Sequence, residues 1–404
     1  MGWSGPAPAE PFALVSSSEE PARSWGRASM TSSAPDHGGA GDVVRVAVMA
    51  NCLAWGWSGI PRYVARLAEE LAKRSDLELT LLASTRGDVG RVPGVREANR
   101  RLKGGALWRN GHVAPWLARN RPHVLWVPET LSPIWSPVPT VVTVHDLGAV
   151  RMPDIKPWRH RLAFRSARRT SRAARHVIAV SQSTAQDLQG LWGIPPSRIT
   201  VIPNGVDDIF RPGDRSAALD AVRRRWGIPA GRIALFVGTI EPRKGLDVLL
   251  DAAAHADATG LDMQFVLAGS PGYDSARLLS RAARLRTCRV LGAVTEDELV
   301  QLYLSADAVV CPSRHEGFGL TPLEAMACGT PAVIAADSGG LVEVSGSAAV
   351  VVRDRTAAAW LAAISEASTR RGELEEAGYR LASRYRWPIA AEATADVLIA
   401  AARR

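Results

Sequence analysis

The feature that most constrains this chain is an alternation that occurs twice. Short apolar, β-branched runs alternate with amphipathic helical stretches in two separate series. The first opens with VVRVAVMA (43–50), a glycine-containing loop, and IPRYVARLAEELAKR (60–74), where Ile60, Val64, Leu67, Ala68 and Leu71 share one helical face. LELTLLAS (77–84), HVLWVPE (123–129), TVVTVHD (140–146), HVIAVS (176–181) and RITVIPNGV (198–206) continue it as buried strands. A second series begins near Ala234 with IALFVGT and runs through MQFVLAG, CRVLGAV, DAVVCPS and PAVIAAD, with helical stretches between. Strand, loop and helix repeated in this way make an open parallel sheet covered on both faces, and two series make two such lobes.

The expected fold class is therefore α/β, with two Rossmann-like doubly wound domains facing a central cleft. The N-terminal domain is expected over 42–207, a linker over 208–220 (DIFRPGDRSAALD) and the C-terminal domain over 221–388. The Ala-rich end, 389–404, reads as a helix able to return to the first lobe. Residues 1–41 are rich in Ser, Pro, Ala and Gly and read as a disordered extension, with Met30 as an alternative start to Met1.

Forty-nine basic against 40 acidic residues give a net charge of +9, which favours anionic partners or simply a solvated basic surface. Four cysteines (Cys52, Cys288, Cys311 and Cys328) form no CxxC or other metal-ligand spacing, and they are too few for a disulfide framework in 404 residues. No apolar stretch is long enough to span a bilayer, and residues 1–41, with no basic start followed by an apolar core, are not expected to act as a signal peptide. A cytoplasmic protein is expected.

Four stretches can carry chemistry. HEGFGLTPLEAMACGTP (315–331) lies between a strand and a helix, where open α/β sheets bind ligands. Gly317 and Gly319 let backbone amides approach a ligand, and the following helix start suits a diphosphate. Thr321-Pro322-Leu323-Glu324 also fits a capping box, so Glu324 reads either as a helix cap or as a ligand group. Nothing local calls for a carboxylate at Glu316, which is expected to face sugar hydroxyls because it would repel a phosphate. In VGTIEPRKGLDVLLDA (237–252), Gly238 ends a strand, and Arg243 and Lys244 stand before a helix as candidate diphosphate cations. In NCLAWGWSGIPRYVARL (51–67), Gly56 and Gly59 do not fit the dinucleotide fingerprint; they read as a close backbone approach to a phosphate or an acceptor, or as a plain strand-to-helix turn. His145, at the end of TVVTVHD, is placed to donate to a sugar hydroxyl or carry a proton.

ADSGG (336–340) follows an α/β strand, without a GxSxG elbow, and reads as the turn opening a helix. Arg161, Arg165, Arg168, Arg172 and Arg175 are spaced to share one helical face. That stripe reads as a solvated face or as a peripheral contact with an anionic membrane, and it lacks the interleaved aromatics of a nucleic-acid surface.

Together these stretches resemble the family 4 retaining glycosyltransferases of GT-B fold, over nearly the whole chain from Val43. Glu316 and Glu324, separated by seven residues, match that family's paired-glutamate motif, and GFGLTPLEAMACGTP, EPRKG, IPNGVD, VSQST and the early GxxGI loop follow in the family order. The resemblance implies that Glu316 contacts the donor sugar and Glu324 the nucleotide ribose. It implies that Lys244, helped by Arg243, holds the diphosphate, and that the amides of Phe318, Gly319 and Leu320 border the sugar. His145 would reach the sugar from the first lobe, and Gly56 and Gly59 would line the acceptor side. Where many members carry an Arg after the strand-ending glycine, this chain has Thr239. TVVTVHD with EPRKG looks similar to mannosyltransferase-like members, so GDP-mannose is the expected donor, a glycan or lipid-linked compound the acceptor, and no metal or other cofactor is expected. A sugar-nucleotide epimerase of the same fold and a non-catalytic nucleotide-sugar-binding subunit are the alternatives.

Overall fold

The computed structural model describes residues 43–403, apart from 56–58, 85–91, 93–94, 99–104 and 153–157. The expectations for residues 1–41, Met30 and Gly56 fall outside the described residues.

Two parallel sheets are present. In the first, β1 (Val44–Met49), β2 (Leu77–Leu82), β3 (Arg96–Glu97), β4 (Val124–Val127), β5 (Thr140–Val144), β6 (His176–Ala179) and β7 (Ile199–Val201) take the order β3-β2-β1-β4-β5-β6-β7. In the second, β8 (Arg232–Val237), β9 (Met263–Ala268), β10 (Cys288–Gly292), β11 (Ala308–Cys311), β12 (Ala332–Ala335) and β13 (Ala349–Val352) take the order β10-β9-β8-β11-β12-β13. The order reverses between β1 and β4 in the first lobe and between β8 and β11 in the second. At such a switch point adjacent crossovers leave on opposite faces and open a crevice beyond the strand ends.

The inner strands of each sheet, among them β4, β5, β9, β11 and β12, are buried on both sides, so they read as continuous apolar runs. In the first lobe, Val46, Val48, Val64, Leu67 and Leu71 form one core layer and Ala47, Met49, Trp108, Leu125, Val142 and Leu188 the other. Val64, Leu67, Ala68 and Leu71 are buried along the helix Gly59–Ala72, and Ile60 is only partly so. All four cysteines are buried and free.

The linker is shorter than 208–220. The Asp214 carboxylate accepts from the amides of Ser216 (2.9 Å) and Ala217 (3.0 Å), capping a helix over Arg215–Trp226 whose Ala218 and Val222 pack in the second lobe's core. A side-chain cap this strong starts the helix as soon as Asp214 is reached. The chain crosses back after the helix Arg371–Ala382. The Val206 amide donates to the Tyr385 carbonyl (3.0 Å), so the two crossings run side by side. The last helix, Trp387–Arg403, buries Trp387, Ala391, Ala395 and Leu398 in the first lobe's core. Its small residues allow close packing on the helix Gly59–Ala72, and Trp387 Nε1 donates to Asp207 (2.6 Å).

The arginine stripe lies on the helix Trp158–Ala173. Arg165, Arg168 and Arg172 are exposed. The helix ends at Ala173, so Arg175 stands in the bend before β6 and does not continue the stripe, because its amide is drawn to the Thr140 carbonyl (2.8 Å) at the start of β5. The Arg161 side chain lies outside the described residues. Among the described residues no helix is long and apolar enough to cross a membrane.

Candidate active site

The loops that follow β8 and β11 flank the second lobe's switch point and face the first lobe across a cleft of about 890 Å³. Gly238, Thr239, Lys244, Glu316, Phe318, Gly319, Leu320 and Glu324 line it from one side, and Gly59, Arg62, Arg66 and His145 from the other. The structure therefore assembles most of the sequence-derived site residues around one cavity. Arg243 is not among the described lining residues.

Glu316 does have structural partners, one local in sequence and two distant. Lys244 Nζ donates to its Oε1 (2.6 Å), Ser313 Oγ to the same oxygen (2.6 Å), and Arg243 Nη1 to its Oε2 (3.2 Å). Burial alone would raise this carboxyl, but Lys244 and Arg243 hold it down at about 2. The two cations come from a loop more than 70 residues earlier, so nothing in the neighbourhood of Glu316 along the sequence foretells the pairing. Arg243 is held further by Glu241 (3.0 Å) and the His315 carbonyl (2.9 Å). It buttresses Glu316 from behind, while Lys244 reaches the cleft.

The capping box is not formed. The helix runs Leu320–Ala327 with Gly319 as its cap residue and no side-chain cap, because the backbone turns into the helix before Thr321. Glu324 is turned elsewhere: Tyr303 Oη donates to its Oε2 (2.7 Å), and Arg62 of the first lobe pairs with its Oε1. The leading amides of this helix thus stay available at the cleft, as an anion site requires.

Two glycines are dictated by geometry. Gly319 has φ +121°, outside the range side chains ordinarily adopt. A Cβ at Gly317 would overlap the His145 carbonyl oxygen, so only glycine lets this loop meet the first lobe. The same closed approach brings the Glu343 carboxylate to the amides of Gln182 and Ser183 and Thr184 Oγ1 to the Gly317 carbonyl (3.3 Å).

His145 Nε2 lies 2.8 Å from the Pro128 carbonyl, which can only accept, so this nitrogen carries the proton. Its ring packs edge-on against Tyr63 (centroids 4.7 Å apart). Burial lowers its pKa, against the Pro128 carbonyl and Asp146. In the neutral ring Nδ1 is then an acceptor, so in this tautomer the ring has no second N–H to donate, unlike the donor expected from the sequence. Ser338 opens the helix Gly339–Ser345, as its sequence suggests. Among the described residues no three His, Cys, Asp or Glu side chains are grouped to hold a metal.

Several residues here escape sequence reasoning. Arg62, Tyr303 and Ser313 carry no motif of their own, and Asp207, though it ends IPNGVD, gives no local sign that it pairs with Arg66 and Trp387. Glu129 offers one signal, an acid ending the buried run HVLWVPE: it is buried beyond β4 at the first lobe's switch point.

This geometry is that of a two-lobed GT-B protein with a ligand cleft between the lobes. Comparison with known proteins agrees. Residues 57–209 match the model of "Glycosyltransferase Family 4" and residues 220–382 that of "Glycosyl transferases group 1". The D-inositol 3-phosphate glycosyltransferase of Thermobispora bispora is 34% identical over 318 residues, 74% of this chain and 70% of that protein. That of Geodermatophilus obscurus is 36% identical over 312 residues, so the match spans 73% of this chain but 64% of that protein's length. Among solved structures, Anabaena HepE in complex with UDP-glucose superposes with a TM-score of 0.71 at 18% identity, over 88% of this chain and 99% of that one. WaaG, a glycosyltransferase involved in lipopolysaccharide biosynthesis, gives 0.69 at 18% identity, over 87% and 99%. The chain belongs to the family 4 glycosyltransferases.

Proposed function

We propose that the protein is a retaining glycosyltransferase that moves a hexosyl group from a nucleotide-diphosphate sugar to an acceptor hydroxyl. The observation that carries this reading is the cluster of Glu316, Lys244 and Ser313 beside the uncapped helix start at Leu320, inside the interlobe cleft. The diphosphate takes the place of Glu316 as the counter-ion of Lys244. The amides of Phe318, Gly319 and Leu320 lie alongside it, and Glu316, released from that cation, turns its oxygens to the sugar hydroxyls. Lys244 and the helix start then stabilise the negative charge that grows on the departing diphosphate. Glu324 holds the nucleotide ribose, and His145 Nδ1 accepts from a sugar hydroxyl. The leaving diphosphate takes the acceptor proton, so no dedicated base is assigned. Closure of the lobes keeps water from the reacting carbon.

The donor sugar is proposed only as a hexose. GDP-mannose follows from the likeness of TVVTVHD and EPRKG to mannosyltransferase-like members, whereas HepE was solved with UDP-glucose. The curated relatives, named for D-inositol 3-phosphate, favour a phosphorylated polyol acceptor, and a lipid-linked glycan is the other candidate. Arg165, Arg168 and Arg172 support the second: each exposed cation near an anionic bilayer contributes about 1 kcal/mol. Metal independence belongs to the same proposal.

The test is a thermal-shift screen of nucleotide sugars, then transfer assays with and without EDTA and analysis of the product anomer. A retained linkage with no loss in EDTA supports the reading. An inverted linkage, or acceptor-free conversion to an epimerised nucleotide sugar, overturns it. Retention on vesicles of acidic lipid at low salt supports the lipid-linked acceptor, and failure to bind removes that arm.

A further inference from the structure

Arg62 is the one buried arginine among the residues described as buried, 8% exposed, and its partner Glu324 is 4% exposed. They stand 262 positions apart on opposite lobes: Arg62 in the first turn of the helix Gly59–Ala72, Glu324 in Leu320–Ala327. The Glu324 carboxylate is gripped at both ends. Arg62 Nη1 pairs with Oε1, and Tyr303 Oη donates to Oε2 at 2.7 Å. Arg62 is itself surrounded by charge and an aromatic ring, although its Nε makes no hydrogen bond. Its Nε lies 3.6 Å from Asp207 and 3.8 Å from Glu296, and its guanidinium sits 5.6 Å from the centre of the Phe210 ring. Burial works against the Arg62 charge, and the carboxylates of Glu324 and Asp207 more than offset it, so the guanidinium stays charged.

This arrangement is costly unless it serves a purpose, because two buried ions must give up their hydration. A carboxylate offers about four lone-pair sites, and Arg62 and Tyr303 occupy two. The remaining sites belong to a side chain that cannot rotate and that lines the cleft. A pair of vicinal hydroxyls is the ligand group that fits a fixed carboxylate with one free site on each oxygen.

We infer that Arg62 is a positioning residue for Glu324, fixing its carboxylate to receive the ribose hydroxyls of the nucleotide. This rests on the nucleotide-sugar reading of the cleft given above. Since Arg62 stands on the other lobe, opening the cleft unhooks Glu324 and removes that fixed orientation. The guanidinium fork supplies the geometry; a lysine supplies only the charge.

The test measures, by calorimetry on the full chain, binding of UDP, GDP and ADP and of their 2′-deoxy and 3′-deoxy counterparts. The wild type is compared with Arg62→Met and Arg62→Lys. The wild type is expected to prefer the ribonucleotide it binds best by about tenfold over at least one deoxy form, since a buried acceptor loses its donor there. Arg62→Met should abolish that preference while binding the deoxy form within about twofold of the wild type, and Arg62→Lys should keep part of it. Equal weakening of ribo and deoxy forms in Arg62→Met, with the preference intact, overturns the inference and leaves Arg62 a packing residue. If Arg62→Met does not fold, Arg62→Lys decides by the same ratio. A wild type that binds a ribonucleotide without preference overturns the ribose role of Glu324 as well, and one that binds none overturns the nucleotide-sugar reading itself.

Discussion

Glu343 accepts a hydrogen bond from the Ser183 amide at 2.8 Å across the cleft, one carboxylate oxygen on the first turn of a helix in the other lobe. Its second oxygen takes the Gln182 amide (2.7 Å), and Ser181 Oγ, the helix's own cap, takes Thr184 (2.9 Å). The helix start is thus shared between a local cap and a carboxylate from the opposite lobe. A negative charge there also meets the positive end of the helix dipole. Removing it by Glu343→Gln is expected to weaken lobe closure by about 0.3–1 kcal/mol, because the site is solvent-exposed. Small-angle scattering should show a larger radius of gyration for the variant at low salt, and an unchanged radius would exclude a role for this contact in closure.

Glu316 and Lys244 form the central ion pair of the cleft. Glu316→Gln keeps the volume and removes the charge, so Lys244 is left free for the diphosphate. Transfer is expected to fall at least about 100-fold in kcat. Affinity for the nucleoside diphosphate alone should hold or improve. Calorimetry beside steady-state kinetics separates the two, and parallel losses in both would deny Glu316 its place at the sugar.

Thr239 is exposed at the cleft directly after Gly238, where many family members have arginine. Because Arg243 is spent on Glu241, the His315 carbonyl and Glu316, Lys244 is the loop's free cation only once Glu316 lets go. Thr239→Arg should add a second cation at the diphosphate and lower the donor KM about threefold to tenfold. A KM that rises would mean that the added side chain blocks the donor.

Glu129 gives the fold a pH dependence of definite sign. Burial raises its carboxyl to about 7, against the pull of Arg109. A carboxyl whose folded pKa lies above its unfolded one stabilises the fold fully below about pH 4.5, and that contribution is lost as pH rises to about 7. The loss is on the order of 3 kcal/mol. Glu129→Gln should remove this slope, so the difference in unfolding free energy between the two proteins should change between pH 4.5 and 7 and level off above. A difference that is flat across that window would show that Glu129 ionises normally in the fold.

The alternation brings out every strand of the two sheets except β3 and β13, because a strand buried on both faces leaves a continuous apolar run and a helix buried on one face leaves a 3.6-residue period. The glycine loops, the order of the motifs and the place of the site beyond the strand ends are legible for the same reason. Thr321 and Glu324 show where local reasoning stops. Their spacing satisfies a capping box, yet Gly319 opens the helix earlier and Glu324 is claimed by Arg62 and Tyr303. Asp214 shows the opposite case, a local cap that the linker expectation overlooked.

By itself, then, the sequence determined the two-lobed α/β architecture, the family and most of the stretches that line the cleft, since each depends on residues close together in the chain. Only the tertiary structure decided which charges meet. Glu316 is neutralised by Lys244, Glu324 is gripped from the other lobe, Arg243 supports rather than lines the cleft, and His145 has its proton fixed by Pro128. The reason is that an ion pair acts over a few ångströms of space, whatever the number of residues between its partners, and leaves no period by which sequence could announce it.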